Sequence, residues 1–162
     1  MSHFTPNPDL DLVLERTIAV APERVWDAWT QPELLKQWFT PAPYKTVGCE
    51  IDLRPGGRFN TTMESPEGER YPNAGCIVDI ETGRRLVFTS VLSEGFRPAA
   101  PVNGAEDLAF TGRITIDPTG DGGTRYKATV MHPDEATQKR HAEMGFFDGW
   151  GAALDQLVAL LS

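Results

Sequence analysis

The chain has 162 residues, of which 40% are hydrophobic and 23% charged, with a formal net charge of −8. That is enough chain to bury a real core in one domain, and an acidic surface with no Lys/Arg cluster excludes nucleic acid and anionic membranes as partners. No apolar run nears the ~20 residues of a membrane span, so membrane insertion is excluded as well.

Residues 1–9, with Pro6 and Pro8, read as a flexible tail ahead of a single domain over 10–162. The tail has no basic region followed by an apolar run, so it is no signal peptide, and the expected location is the cytoplasm. Leu10, Leu12, Leu14, Ile18 and Val20 alternate on one face of a first strand, and Arg16 shares that face. Its guanidinium either reaches water at the sheet end or faces an interior cavity. Ala21-Pro22-Glu23 starts a short helix carrying Val25, Trp26 and Trp29, since proline suits the first helical position and glutamate the first turn. Gln31-Pro32-Glu33 repeats the signal for a second, with Leu34, Leu35, Trp38 and Phe39. These aromatics close one end of a sheet, and part of the cluster, Trp38 included, can form a pocket mouth.

From Tyr44 the period changes to two. Val47, Cys49, Ile51 and Leu53 form one strand face, and Phe59, Thr61 and Met63 the next, across the Pro55-Gly56-Gly57 turn. Residues 70–80 form a strand, containing Tyr71, in which Gly75 marks a bulge or a close backbone approach. Residues 84–92, with Leu86 and Phe88, are apolar on both faces and read as a covered strand. A Pro/Gly/Ala-rich loop over 93–109 follows, with Phe96 and Arg97 as its large side chains; loops this long are often functional. Residues 110–116 and 124–132 form a hairpin, the second strand carrying Tyr126, Ala128, Val130 and His132 in phase. Asp134 is placed to cap the last helix, 135–161.

That helix has the only long helical period. At 100° per residue Ala136, Glu143, Phe147, Trp150, Leu154, Leu157, Val158 and Leu161 lie within about 40° of one line, and His141 lies about 140° away and reads as exposed. Gly145, Gly149 and Gly151 each cost ~1 kcal/mol against alanine. They point to close packing, to a kink, or to space kept for a ligand. Turn-linked strands followed by one long helix imply an α+β fold: a curved antiparallel sheet of six to seven strands wrapped around the C-terminal helix, with two short helices between strands 1 and 2. Such a groove readily leaves a cavity.

The run 15–41, with Ala21-Pro22-Glu23, Trp26, Gln31-Pro32-Glu33 and Trp38-Phe39, resembles the opening of the START-like (SRPBCC) superfamily, in particular its Hsp90 ATPase activator-like branch. The Asp52-Leu-Arg-Pro-Gly-Gly-Arg-Phe59 turn, Arg85-Leu-Val-Phe-Thr89 and Glu143-Met-Gly-Phe-Phe-Asp-Gly-Trp150 fit the same branch. The resemblance implies the helix-grip fold of the birch-pollen allergen family, with a cavity for apolar or amphipathic small molecules between sheet and helix.

No GxSxG, HExxH or P-loop motif is present. His132 and His141 do not have a recognised ligand spacing, so neither a metal nor a cofactor is expected. The leading reading is a small-molecule binding cavity lined by Trp38, Phe59, Met63, Phe88, Met144, Phe147 and Trp150, with Arg16, Tyr71, His132 and Glu143 as polar anchors. Two others stay open: a cyclase- or hydrolase-type enzyme using His132 and Glu143 as an acid/base pair, and a protein-binding module like the Hsp90 co-chaperone. Ligand identity and the choice between monomer and homodimer stay open too.

Overall fold

The computed structural model describes residues 4–99 and 108–162. The chain runs β1 (Asp11–Ile18), α1 (Pro22–Thr30), α2 (Pro32–Leu35), β2 (Lys45–Ile51), β3 (Phe59–Glu64), β4 (Arg70–Asn73), β5 (Cys76–Glu81) and β6 (Arg85–Thr89). It continues through a small hairpin, β7 (Leu92–Ser93) and β8 (Arg97–Pro98), then β9 (Thr111–Pro118), β10 (Thr124–Met131), α3 (Glu135–Glu143) and α4 (Phe146–Leu161).

Five strands pair in the order β1-β10-β9-β6-β5 and three in the order β2-β3-β4, all antiparallel. The two groups are one curved surface. β4 and β5 are halves of a single strand interrupted at Ala74-Gly75, and both run beside β3. The Phe59 N–H donates to Gly75 O (3.0 Å), and the Ile77 N–H to Gly57 O (2.8 Å). A Cβ on Gly75 would stand 2.9 Å from Phe59 O and 3.1 Å from Thr89 O, so the bulge predicted there is a place where three backbones crowd. Counted this way the sheet has seven strands, and its curl against α4 is the helix-grip arrangement.

Two local expectations change. A bulge between Thr46 and Gly48 shifts the β2 register, so Thr46, Cys49 and Ile51 face in; Val47 is displaced from that face and Leu53 is exposed. The loop after β6 contains the β7–β8 hairpin, whose Phe96 ring lies against Gly56. The part of that loop at 100–107 lies outside the described residues.

The largest change is in the last helix. It is two helices, broken at Met144-Gly145. Gly145 sits in the left-handed region at φ 92°, where a Cβ is strained and glycine is not. Behind the break, Leu154, Leu157 and Leu161 are buried and join Trp26, Trp29, Leu35, Ile114, Ile116 and Ala128 in one core. Each buried leucine contributes about 2 kcal/mol by area. Ahead of the break, α3 is polar. It is held by the Asp134 cap, whose carboxylate accepts from the Thr137 N–H at 2.7 Å, and by the Gln138 amide, which donates to Pro8 O and Asp11 O at 3.3 Å.

Candidate functional site

A pocket of about 440 Å³ lies between the sheet and the α3–α4 break. Its floor is Trp29 from α1, Tyr126 from β10 and Phe110. One wall is the segment 38–41; another is Thr61 and Met63 of β3 with Asn73 of β4. Its roof is His141, the segment 144–146, Gly149, Trp150 and Ala153. The size and the aromatic lining suit a small organic molecule. A second depression, of about 300 Å³, is formed by Thr17, Ile18, Ala19, Asp121, Gly122 and Gly123 at the β9–β10 turn. It has no aromatic wall and a smaller volume, and we take the first as the site.

Gln156 fixes the rim. Its Nε2 donates to Trp38 O and Thr40 O, both at 2.9 Å, and its Oε1 accepts from the Ala42 N–H at 2.9 Å. Trp38 is held in turn by its indole N–H, which donates to Ala28 O at 3.0 Å. The aromatic rings below form a chain: Trp29 meets Trp38 at 5.0 Å between centroids, and Phe39 at 5.7 Å.

The pocket carries few polar groups, and they sit apart. Trp29 and Tyr126 are 1% and 2% exposed. The Trp29 indole N–H is oriented toward the Tyr126 oxygen, close enough to favour the phenolate slightly, but it completes no hydrogen bond with it or any other described atom. Burial pushes the Tyr126 phenol up, so it stays an O–H. A buried donor without a full partner costs about 1–3 kcal/mol, which the packing around Trp29 has to offset.

At the roof, His132 Nδ1 lies 2.7 Å from Leu10 O, and His132 Nε2 lies 2.9 Å from His141 Nδ1. Both rings are buried. Burial first, and the neighbouring His132 charge second, lower the His141 pKa to about 4. An unfolded histidine titrates near 6.5, so between these values the unfolded chain binds the extra proton. Stability is therefore full above pH 6.5 and falls as pH drops toward 4. Asp134 interacts electrostatically with Arg140 and with His132. Asp134 is held below the usual carboxylate range chiefly by the Thr137 N–H and so titrates below this window. Unfolding free energies from urea titrations at pH 7.5 and pH 5 should differ by about 1–2 kcal/mol, and His141→Phe should flatten that difference. An equally steep dependence in the variant would assign it elsewhere.

Four predicted residues, Trp38, Met63, Met144 and Trp150, line this pocket. The others lie elsewhere. Phe59 and Phe88 stack at 4.6 Å and are 4% and 5% exposed; they are solid core beside the pocket. Arg16 pairs with Asp155 at 2.6 Å, half-exposed, with its guanidinium 2.6 Å from where a Cβ on Gly151 would stand. Of the three helix glycines only Gly151 is there for close packing; a Cβ on Gly145 or Gly149 would meet nothing within 4 Å. Tyr71 lies on β4, and its hydroxyl donates to Glu69 Oε2 at 2.6 Å. His132 stands behind His141 rather than in the pocket. Glu143 and Phe147 are exposed, whereas His141 and Phe146 are buried: the left-handed turn at Gly145 resets the phase of α3 relative to α4, and within α4 the buried stripe runs through Phe146, Ala153 and Leu157 and leaves Phe147 at its margin. The predicted acid/base pair of His132 and Glu143 is thus not assembled.

Trp29, Tyr126, Phe110, Phe146, Thr61 and Asn73 escaped the sequence reading as site residues. Tyr126 had a signal, its phase with His132 on β10. Burial pushes the Cys49 thiol up to about 11, so thiolate is scarce there at neutral pH. Among the described residues no group of three or more His, Cys, Asp and Glu side chains is placed to hold a metal, and no helix is long and apolar enough to cross a membrane.

No curated protein matches the chain. Among solved structures, a Nitrosomonas europaea protein is 44% identical over 96% of both chains, with a TM-score of 0.90. A Mycobacterium smegmatis protein is 26% identical over 95% of this chain and 91% of that one, with a TM-score of 0.76. The AHSA1 protein of Silicibacter pomeroyi is 25% identical over 93% and 96%, with a TM-score of 0.66. The profile of one family matches residues 19–162, all of the fold from the end of β1 through α4. By that match and this architecture the chain belongs to the Activator of Hsp90 ATPase homolog 1-like protein family, within the START-like superfamily.

Proposed function

We propose that this domain binds an apolar or amphipathic small molecule in the pocket beneath the α3–α4 break. The observation that carries the reading is a pocket of about 440 Å³ between sheet and helices, walled by Trp29, Trp38, Phe39, Phe110, Phe146 and Trp150. Fold and family support a ligand-binding or co-chaperone-like module; the pocket favours the first. The setting we infer is the cytoplasm, where free thiols such as Cys49 and Cys76 persist.

Native mass spectrometry of the purified protein should show a bound small molecule. The neutral fluorophore N-phenyl-1-naphthylamine should bind one to one. At a hundredfold excess over its Kd a ligand adds about 2.7 kcal/mol, a rise in melting temperature of roughly 5–10 °C for a chain of this size. No stoichiometric binding and no thermal shift would overturn the reading. The alternative is a protein-binding module acting on a chaperone ATPase, as the family's description suggests. It is favoured by Met144 and Phe147, which stand 52% and 51% exposed beside the break. Stimulation of a chaperone ATPase by this protein would support it.

A further inference from the structure

The two histidines behind the roof fix the hydrogen-bonding character of the pocket. Leu10 O can only accept, so the proton on that 2.7 Å bond belongs to His132 Nδ1. Above the histidine range each ring holds one proton. His132 Nε2 is then a lone pair, and the 2.9 Å bond between the rings must be donated by His141 Nδ1–H. His141 Nε2 is left as a lone pair on the ring edge turned away from His132. It has no partner among the described residues, and His141 lines the pocket. The ring is held in this orientation by Phe110 at 5.8 Å and Phe146 at 5.3 Å.

The pocket thus has an acceptor at its roof, above a floor of buried aromatic side chains. Among the described residues its lining includes no Asp, Glu, Lys or Arg. Burying an uncompensated charge in such a place is expensive, and no cation is present to receive a carboxylate. Resting on the binding function proposed above, we infer that the ligand is an uncharged, largely aromatic or apolar molecule that donates a hydrogen bond, from a hydroxyl or N–H, to His141 Nε2. His132 is a positioning residue: it touches no ligand and sets the His141 tautomer through Leu10 O. Anionic amphiphiles such as fatty acids are the wrong class.

The test compares four probes at pH 7.5 by titration calorimetry: 2-naphthol, naphthalene, 2-methoxynaphthalene and 2-naphthoate. 2-Naphthol should bind about five- to tenfold more tightly than naphthalene or the methyl ether, the worth of one hydrogen bond. 2-Naphthoate should bind at least tenfold more weakly than 2-naphthol. In His141→Phe the preference for 2-naphthol over naphthalene should shrink to within twofold. Imidazole ¹⁵N–¹H correlation spectra of the wild-type protein should place the protons on Nδ1 of both rings, which decides the tautomer even if the variant fails to fold. Equal binding of 2-naphthol and naphthalene, tightest binding of the carboxylate, or a proton on His141 Nε2 would overturn the inference and leave the pocket reading standing. Binding of none of the four would remove both.

Discussion

Replacing Gly149 with leucine is expected to stabilise the protein and abolish ligand binding together. Gly149 lies in the first turns of α4, lines the pocket, and has nothing within 4 Å of where a Cβ would stand. A glycine within a helix costs ~1 kcal/mol relative to alanine, and a leucine side chain entering the pocket gains more by leaving water. The net gain should be about 1–3 kcal/mol, a rise in melting temperature of roughly 3–8 °C. The probe that fills the wild-type pocket should lose at least about a hundredfold in affinity, since overlap with a ligand is not relieved in a close-packed wall. Gly149→Ala separates the two effects: it should retain most of the binding and gain only the helical part. Undiminished binding by the leucine variant would place the ligand elsewhere.

Trp29→Ala should have the opposite balance. Trp29 is 1% exposed and touches Trp38, Phe39 and Phe88. Truncation leaves a void that the neighbouring rings cannot fill without giving up their own contacts, and such changes cost about 3–5 kcal/mol. The urea midpoint should fall accordingly with an unchanged slope. Trp29→Phe keeps a ring against Trp38 and Phe39 and deletes only the indole edge with its unpartnered N–H. It should cost no more than about 1.5 kcal/mol. If the ligand's acceptor meets that N–H, the phenylalanine variant should also bind the ligand several-fold more weakly. Equal loss of stability in both variants would mean that the indole edge, not the ring contacts, carries the packing.

The strands were legible because alternation is local. Tyr126, Ala128, Val130 and His132 follow one another on β10, and the bulge at Gly75 is marked by a glycine inside a strand pattern. The helix pair 22–35 was legible from two proline-glutamate starts. Depth was not legible: Phe59 and Met63 share a face of β3, yet only Met63 reaches the pocket, because Phe59 is capped by Phe88 from a strand distant in sequence. The helix break was the costliest omission. A glycine at φ 92° and a glycine continuing a helix are the same letter, and one left-handed residue rotates everything before it. Carrying a uniform 100° step through Gly145 exchanged Glu143 for His141; Phe147 was misplaced within α4 itself, where the buried stripe runs through Phe146, Ala153 and Leu157. The local sign was available in α3 itself: residues 135–143 have no apolar stripe of their own. Arg16 illustrates the remaining limit, since its partner Asp155 is 139 positions away.

The break at Gly145 also divides labour along the chain. Leu154, Leu157 and Leu161 on α4 hold the helix to the sheet, while His141 on α3 and Met144 at the joint face the pocket. A substitution in α3 therefore leaves that anchor seated, whereas α4 also lines the pocket through Phe146, Gly149, Trp150 and Ala153. Anchor and pocket wall thus overlap in α4 and separate only ahead of the break. The polar segment ahead of the break is therefore where the pocket roof can be altered, at His141, while the leucine anchor stays in place.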